Sequence, residues 1–165
     1  MPFEPFRAAV AVHGILRDGE RTLLMRRADT THRDGQFGLP AGHLDGGEDA
    51  VTGLRRELRE ELDIHVDPGS CRLRLVLHTA PERISDFEYL HLFFDVARWD
   101  GAPRIAEPRK CTELRWADPR ATPDLVDYVG AALAAIGRGE TLAVHGWPPG
   151  TTSEPGRSTR RGACG

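Results

Sequence analysis

The stretch Gly42–Ile64 reads GHLDGGEDAVTGLRRELREELDI and joins a glycine-rich loop to a strongly charged segment. Its apolar residues recur at spacings of three and four, which predicts one buried stripe on a helix from Asp49 to Leu62. The residues of that stripe are Val51, Leu54, Leu58 and Leu62. Asp49 stands where an N-cap is expected. The stretch therefore predicts a loop that enters an amphipathic helix.

Three glutamates lie beside this stripe, at Glu57, Glu60 and Glu61. At ~100° per residue they fall within an arc of ~100°, and each like-charge pair costs a helix about 0.2–0.5 kcal/mol. A divalent cation would offset that repulsion, because Mg²⁺ binds a few carboxylates together with substrate phosphates. Glycines such as Gly42 let backbone atoms approach a metal or phosphate closely. Taken alone, three glutamates more often form a solvated face, so only the combination with the loop indicates a site.

The sequence on either side of Gly42–Ile64 predicts mostly β-strands. Upstream, Ala8–Leu16 and Thr22–Met25 flank a polar turn and predict a β-hairpin. Downstream, strands are predicted at Leu73–Leu77, Leu90–Val96 and Glu113–Trp116, and a second helix at Asp124–Ile136. This order lacks a regular βαβ alternation. It predicts an α/β (α+β) single domain with a mixed central sheet between helices.

Length and composition indicate one domain followed by a tail. The chain has 165 residues, of which 39% are hydrophobic and 28% charged, as in a globular domain. We place the domain at residues 1–137 and the C-terminal tail at 138–165. The tail is expected to be largely disordered beyond about 146, because few apolar side chains remain there. Its basic residues, Arg157, Arg160 and Arg161, are expected to be solvated.

Charge and cysteine usage narrow the class of protein. A net charge of -3 provides no global basic field for a long nucleic acid, so local cations or metal ions must meet any phosphate. Cys71, Cys111 and Cys164 lack a metal-type spacing and are expected to be reduced thiols. We find no signal peptide or membrane span and expect a cytoplasmic protein. A homodimer is compatible with the sequence, which forces no interface.

The register of Gly42, Glu48 and the segment Arg56–Glu61 resembles the Nudix box at every charged position, and Ile64 fills its last apolar position. The one departure is Asp63, where that family usually has glycine. The glycine is expected to serve as a left-handed helix cap, which Asp tolerates at a cost of about 1 kcal/mol or less.

The resemblance continues outside the box and covers roughly residues 8–136. Residues 23–27 are similar to the family's second strand, and residues 35–44 to its lead-in to the box. Glu107, Pro108, Lys110, Cys111 and Trp116 are similar to a strand of the MutT-like branch, which cleaves nucleoside triphosphates. The resemblance implies a Nudix-type α/β/α sandwich.

The resemblance also implies metal ligands. Glu60 and Glu61 would bind Mg²⁺, with Mn²⁺ as an alternative, together with a backbone carbonyl near Gly42. Glu57 would be a further ligand or the base that takes a proton from the attacking water, and the sequence leaves both roles open. A further acidic ligand often comes from outside the box in this family. Glu88 is our candidate for it, with Glu82 and Asp86 as rivals.

Other residues receive catalytic and substrate roles. Arg56 would orient Glu57 by pairing with Glu48 across the loop. Arg27 could meet a phosphate, and His43 lies beside the loop. Aromatic residues that could stack on a base are Phe37, Tyr89 and Trp116, although for Phe37 and Trp116 we favour core packing.

The reaction implied is hydrolysis of a diphosphate linked to another moiety, most often a nucleoside. Our leading substrate is a nucleoside triphosphate, modified or not, cleaved to the monophosphate and pyrophosphate. The alternatives are ADP-ribose or another nucleoside-diphosphate sugar, because Pro81 lies near a proline typical of that branch, and a specialised biosynthetic diphosphatase. A silent nucleotide-sensing module would be expected to lose box glutamates, and this chain keeps them.

Overall fold

The computed structural model describes residues 5–29, 33–82 and 87–148. These ranges contain eight strands and two α-helices. The strands are β1 (Ala9–Asp18), β2 (Arg21–Arg27), β3 (Phe37–Gly38), β4 (Ala41–His43), β5 (Cys71–Thr79), β6 (Tyr89–Val96), β7 (Cys111–Ala117) and β8 (Leu142–His145). The helices are α1 (Ala50–Leu62) and α2 (Asp127–Gly137), and neither of them is long and apolar enough to cross a membrane.

The strands form one mixed sheet in the order β3-β2-β1-β6-β5-β8, with β4 beside β1 and β7 beside β2. The pairs β1–β6 and β5–β8 are parallel. The pairs β1–β2, β1–β4 and β5–β6 are antiparallel. The predicted mixed sheet is confirmed.

The two helices cover opposite faces of this sheet. Along β1, Val12 and Leu16 join the core packed around α1, whereas Ile15 joins the core packed around α2. Successive side chains of a strand point to opposite faces, which explains this alternation. A Cβ on Gly14 would lie 3.0 Å from the Leu58 side chain, so glycine allows α1 to approach the sheet closely. The α/β/α sandwich is confirmed.

Helix α1 begins and ends as its sequence predicts. Asp49 is the N-cap, and its carboxylate accepts hydrogen bonds from the N–H groups of Val51 and Thr52. Asp63 adopts the left-handed conformation with φ of 54°, and its N–H donates to the Arg59 carbonyl. Asp63, which replaces the family's usual glycine, therefore still adopts the left-handed cap geometry.

The predicted hairpin pairs only beside its turn, through Arg17 with Thr22 and Asp18 with Arg21. Farther from the turn, β1 pairs with β4 at residues 11–13 instead. Because β4 takes that edge, β1 and β2 diverge. The loop that precedes α1 is thereby fixed against the sheet.

Helix α2 begins at Asp127, later than the predicted start at Asp124. The Phe37 N–H donates to the Asp124 carbonyl, and the Val126 N–H donates to the Phe37 carbonyl, each at 2.8 Å. These bonds hold the segment before α2 in an extended bridge to β3. A tertiary contact thus delays the helix.

Strand β8 pairs with β5, so the sheet extends into the segment assigned to the tail. Only four residues form the strand, and the exposed Leu142 and Val144 give a weak apolar pattern. Beyond it, the Trp147 indole N–H donates to the His78 carbonyl at 3.3 Å. The rest of the segment predicted to be disordered, from residue 149 onward, lies outside the described ranges.

Candidate active site

A cleft of about 900 Å³ is lined by residues of several strands and of both helices. Two groups of its lining residues differ in chemistry. The acidic wall comprises Ala41, Gly42, Glu57 and Glu61. The imidazole wall comprises His13, Thr79, Tyr89, His91 and Tyr128. The cleft therefore joins the glycine-rich loop and α1 to strands β1, β5 and β6 and to the start of α2.

The acidic wall is built by close contact between α1 and β4. A Cβ on Gly42 would lie 2.0 Å from the Glu57 Cδ atom, so only glycine lets this carboxyl rest against the loop. One turn further along α1, the Glu61 Oε2 atom accepts a hydrogen bond from the Ala41 N–H at 2.9 Å. The helical spacing of four residues puts both carboxyls on the same side.

Burial disfavours the negative charge of both carboxyls. It raises the pKa of Glu61 to about 8, with further contributions from the Glu57 and Glu107 carboxylates. Burial also raises the pKa of Glu57, against the opposing effect of Arg56. Two desolvated acids side by side would be stabilised as anions by a cation between them.

Arg56 fixes the loop and Glu57 at the same time. Its Nη2 atom lies 2.7 Å from Glu48 Oε1, and its Nη1 atom lies 2.7 Å from Glu57 Oε1. It also donates to the His43 carbonyl at 3.0 Å. The predicted pairing of Arg56 with Glu48 across the loop is present. Its hydrogen bond holds the pKa of Glu48 below its ordinary value.

Glu60 is not brought to the acidic wall. Its side chain is 50% exposed, its carboxylate lies 3.5 Å from Arg56, and it is not among the described residues that line the cleft. Among the residues that the structure describes, no three His, Cys, Asp or Glu side chains are arranged to enclose a metal ion. Glu57 and Glu61 with the bare Gly42 backbone nevertheless fit a hard cation, which takes oxygen ligands from few carboxylates and completes its shell with water and phosphate.

Of the candidate acids from outside the box, Glu88 and Glu82 are described, and both pair with residues other than those of the acidic wall. The Glu88 carboxylate lies 2.8 Å from His78 Nε2, and Glu88 is absent from the described residues that line the cleft. Glu82 lines the cleft but pairs with Arg33. Asp86 lies outside the described residues.

The predicted substrate-binding residues divide into two groups. Arg27 and His43 line the cleft. Phe37 does not line the cleft. It is 1% exposed and packs in the core between the guanidinium groups of Arg26 and Arg115, at 4.3 and 4.4 Å from its ring centre. Trp116 also packs in the interior, stacked with Trp99.

The imidazole wall consists of stacked rings and a chain of polar contacts. His13 Nε2 lies 2.9 Å from His91 Nδ1, and His91 Nε2 lies 3.3 Å from the Thr79 hydroxyl. Tyr89 and Tyr128 both stack with His91, with ring centres 5.3 and 4.6 Å away. Burial lowers the pKa of His13 and lowers the pKa of His91 to about 4, so both rings are neutral near pH 7.

Sequence reasoning missed most of this wall, as well as Gly53, Lys110 and His145. A Cβ on Gly53 would lie 2.3 Å from the Leu44 side chain, so this glycine lets the loop close onto α1. Lys110 and His145 line the cleft. An isolated histidine in an apolar strand gives no distinct signal, because it is more often structural than functional. Lys110 does belong to the residues from 107 to 116 that are similar to a strand of the MutT-like branch.

Comparison with known proteins identifies the family. A family model described as the NUDIX domain matches residues 5–133. The chain therefore belongs to the Nudix family and is an enzyme of the Nudix hydrolase type, as the box residues imply. Strand β8, with His145 at its end, lies beyond the matched residues.

Solved structures share the fold at low sequence identity. A MutT NUDIX hydrolase from Burkholderia pseudomallei is 24% identical, with a TM-score of 0.70 over 78% of this chain and 97% of that one. A MutT protein from Methanosarcina mazei Go1 is 17% identical, with a TM-score of 0.67 over 82% and 97%. The ORF135 protein of E. coli is 20% identical, with a TM-score of 0.64 over 79% and 91%. At these identities the matches establish a shared fold.

Proposed function

We propose that the chain hydrolyses, with a divalent metal ion, the phosphoanhydride of a nucleoside-diphosphate-linked substrate. The leading reaction converts a nucleoside triphosphate, modified or not, to the monophosphate and pyrophosphate. One observation carries the proposal. In the lining of a cleft of about 900 Å³, Glu57 packs against the Cβ-free backbone of Gly42, and Glu61 accepts a hydrogen bond from the neighbouring Ala41 N–H.

Mg²⁺, with Mn²⁺ as the alternative, would be held by Glu57, Glu61 and backbone oxygen near Gly42. Glu60 remains a candidate ligand on the next face of α1. A bound divalent cation supplies charge neutralisation at the phosphoryl oxygens and a lowered pKa of the attacking water. We expect the enzyme to act on a small molecule in the cytoplasm.

The chain's own residues supply orientation and proton transfer. Arg56 holds Glu57 through a 2.7 Å ion pair and so fixes the direction of its carboxylate. Glu57 and Glu61 are the alternative bases for the proton of the attacking water, the base being the carboxylate that the metal leaves free. Arg27 and Lys110 line the same cleft and offer positive charge to substrate phosphates.

ADP-ribose is the second candidate substrate. Pro81, the residue that motivates it, lines the cleft. The two substrates release different products, pyrophosphate from a triphosphate and ribose 5-phosphate from ADP-ribose, so product identity distinguishes them. A biosynthetic diphosphate without a nucleoside is the third outcome of the same assay.

The test is a substrate panel with purified protein, with MgCl₂ or with EDTA. We expect turnover only with metal. Glu57→Gln and Glu61→Gln should each lower kcat by about 10²- to 10³-fold, as when one group that stabilises transition-state charge is lost. Glu140→Gln is the matched control, because Glu140 pairs with Arg138 and does not line the cleft. Full activity of both α1 variants, or metal-independent turnover, would overturn the proposal.

A further inference from the structure

A cluster of charged side chains lies in the cleft away from the acidic wall. Its members all line the cleft and are Arg33, Glu82, Asp127 and His145. We call them the ion-pair cluster. They come from four separate segments: the residues before β3, the residues after β5, the first turn of α2 and the end of β8. The proposed reaction uses none of these side chains.

Arg33 joins three of these segments through its guanidinium. One of its Nη atoms pairs with Glu82 and the other pairs with Asp127, and its side chain is 22% exposed. Asp127 in turn lies 3.4 Å from His145 Nε2. A guanidinium that is bound to two carboxylates from different segments must lie between them. The fixed fork of its donors suits this role, because it holds both carboxylates in one geometry.

The backbone of Arg33 is strained. Its φ of 62° lies in the left-handed region, which residues other than glycine rarely adopt. The Gln36 N–H donates to the Arg33 carbonyl at 3.2 Å, and the Gly35 N–H donates to the Arg27 carbonyl at 2.8 Å. The Arg33 Cζ atom lies 5.4 Å from the ring centre of Tyr128, which also lines the cleft. A strained residue that is held by contacts within a cleft points to a role in function.

The ion-pair cluster lies across the sheet from the acidic wall. Strand β4, which carries Gly42, pairs with β1, and the sheet continues from β1 through β6 and β5 to β8, which carries His145. Four strand spacings of ~4.8 Å, or roughly 20 Å, therefore separate β4 from β8. A moiety that is attached to a diphosphate at the acidic wall and extends across the strands would meet Arg33 at its far end.

Resting on the proposed function, we propose that Arg33 determines specificity by closing the far end of the cleft, so that the enzyme rejects substrates extended beyond the ion-pair cluster. Arg33 acts by bridging Glu82 and Asp127 and takes no part in the chemical step. Removal of its guanidinium would open this end of the cleft and leave both carboxylates without that partner. The opened cleft would then favour an extension that carries a positive charge.

The experiment compares three forms of a substrate that the panel shows to be cleaved: the parent, a derivative with a neutral hexyl chain at the end remote from the cleaved linkage, and a derivative with an aminohexyl chain there. For the wild type, we expect kcat/KM to be at least about tenfold lower for both derivatives than for the parent. Arg33→Ala should bring the hexyl derivative within about threefold of the parent, mainly through a lower KM. It should favour the aminohexyl over the hexyl derivative by about two- to fivefold, because the ammonium group can pair with Glu82 or Asp127.

Arg74→Ala is the matched control. Arg74 also forms a half-buried ion pair, with Asp95 at 2.7 Å, but is not among the described residues that line the cleft, so the wild-type ratios should persist. Thermal melting checks folding of each variant. If Arg33→Ala fails to fold, the double variant Glu82→Gln with Asp127→Asn releases Arg33 instead. It should accept the hexyl derivative and still reject the aminohexyl one, because an unpaired guanidinium repels an ammonium group.

A wild type that cleaves both derivatives as well as the parent would overturn the closure of the cleft. An unchanged ratio of parent to hexyl derivative in Arg33→Ala, or the same gain in Arg74→Ala, would overturn the role of Arg33. Equal activity of Arg33→Ala on the two derivatives would contradict the bridging of Glu82 and Asp127 across that end. In each of these cases the parent is still cleaved, whereas failure of the proposed function is absence of metal-dependent cleavage of any substrate in the panel.

Discussion

The acidic wall and the imidazole wall face one cleft but are assembled in different ways. The acidic wall comes from residues between Ala41 and Glu61, a single loop and its following helix. The imidazole wall comes from four separate elements, and the parallel register of β1 with β6 places His13 opposite Phe93 and close to His91. One wall is thus a local motif, and the other is a product of strand pairing.

Burial acts on the two walls in opposite directions. It raises the pKa of Glu61 to about 8 and lowers the pKa of His91 to about 4. Desolvation disfavours whichever form is charged, so acids keep their protons and imidazoles lose theirs. A cation bound at the acidic wall would offset this effect by stabilising its carboxylates, whereas the imidazole wall is neutral near pH 7.

The largest effect is expected for a substitution that disturbs the acidic wall but changes no charged residue. Gly42→Ala places a Cβ where the Glu57 carboxyl now lies, 2.0 Å from its Cδ atom, so the carboxyl must move. We expect kcat to fall by about 100-fold because the carboxyl is displaced, and stability to fall by less than about 1 kcal/mol, because the end of a flexible side chain can move aside. Steady-state kinetics and urea unfolding measure both effects.

Gly46→Ala is its control, since nothing lies within 4 Å of a Cβ at that position of the same loop. It should retain kcat. If Gly42→Ala were as active as Gly46→Ala, close packing of Glu57 against the loop would not matter for catalysis. The acidic wall would then be less tightly built than its geometry indicates.

A pH experiment tests the imidazole wall. The pKa of His91 is lowered from 6.5 to about 4, so the folded state binds fewer protons than the unfolded chain between these values. The free energy of unfolding should therefore fall as pH is lowered through this window, by about 1–2 kcal/mol between pH 7 and pH 5. Glu61 has the opposite dependence, so urea unfolding is measured with EDTA in a Glu61→Gln background.

In that background, His91→Phe should reduce the loss of stability at low pH. His65→Gln should not, because the His65 side chain is exposed. The same pH dependence with and without His91 would contradict the neutral, buried state of this ring. The two walls would then differ in their side-chain geometry but not in the effect of burial on their protonation.

The smallest effect concerns the end of α1. Asp63→Gly removes the strain of a left-handed non-glycine residue but also removes an exposed ion pair with Arg104. We expect stability to rise by less than about 1 kcal/mol, with kcat unchanged. Thermal unfolding and steady-state kinetics measure this. A large change in kcat would mean that the helix end and the carboxylates are coupled.

The sequence predicts α1 and its caps well because helix periodicity and capping act over a few residues. Asp49 and Asp63 are found in the roles expected for them. Phe37 shows the limit of the same reasoning. Its place beside the box suggests the cleft, but its strand pairs with β2 and turns the ring into the core between Arg26 and Arg115. Neighbours from distant parts of the chain decide that direction.

The sequence by itself determined the Nudix box, the amphipathic helix and the glutamates that stand next to one another on it. Each of these follows from short-range geometry, since residues four apart on a helix share a face. Tertiary structure alone decided that Glu61 rather than Glu60 turns into the cleft, and that β8 completes the sheet. It also assembled His13, Thr79, His91 and Tyr128, because only strand register brings residues so far apart in the chain into contact.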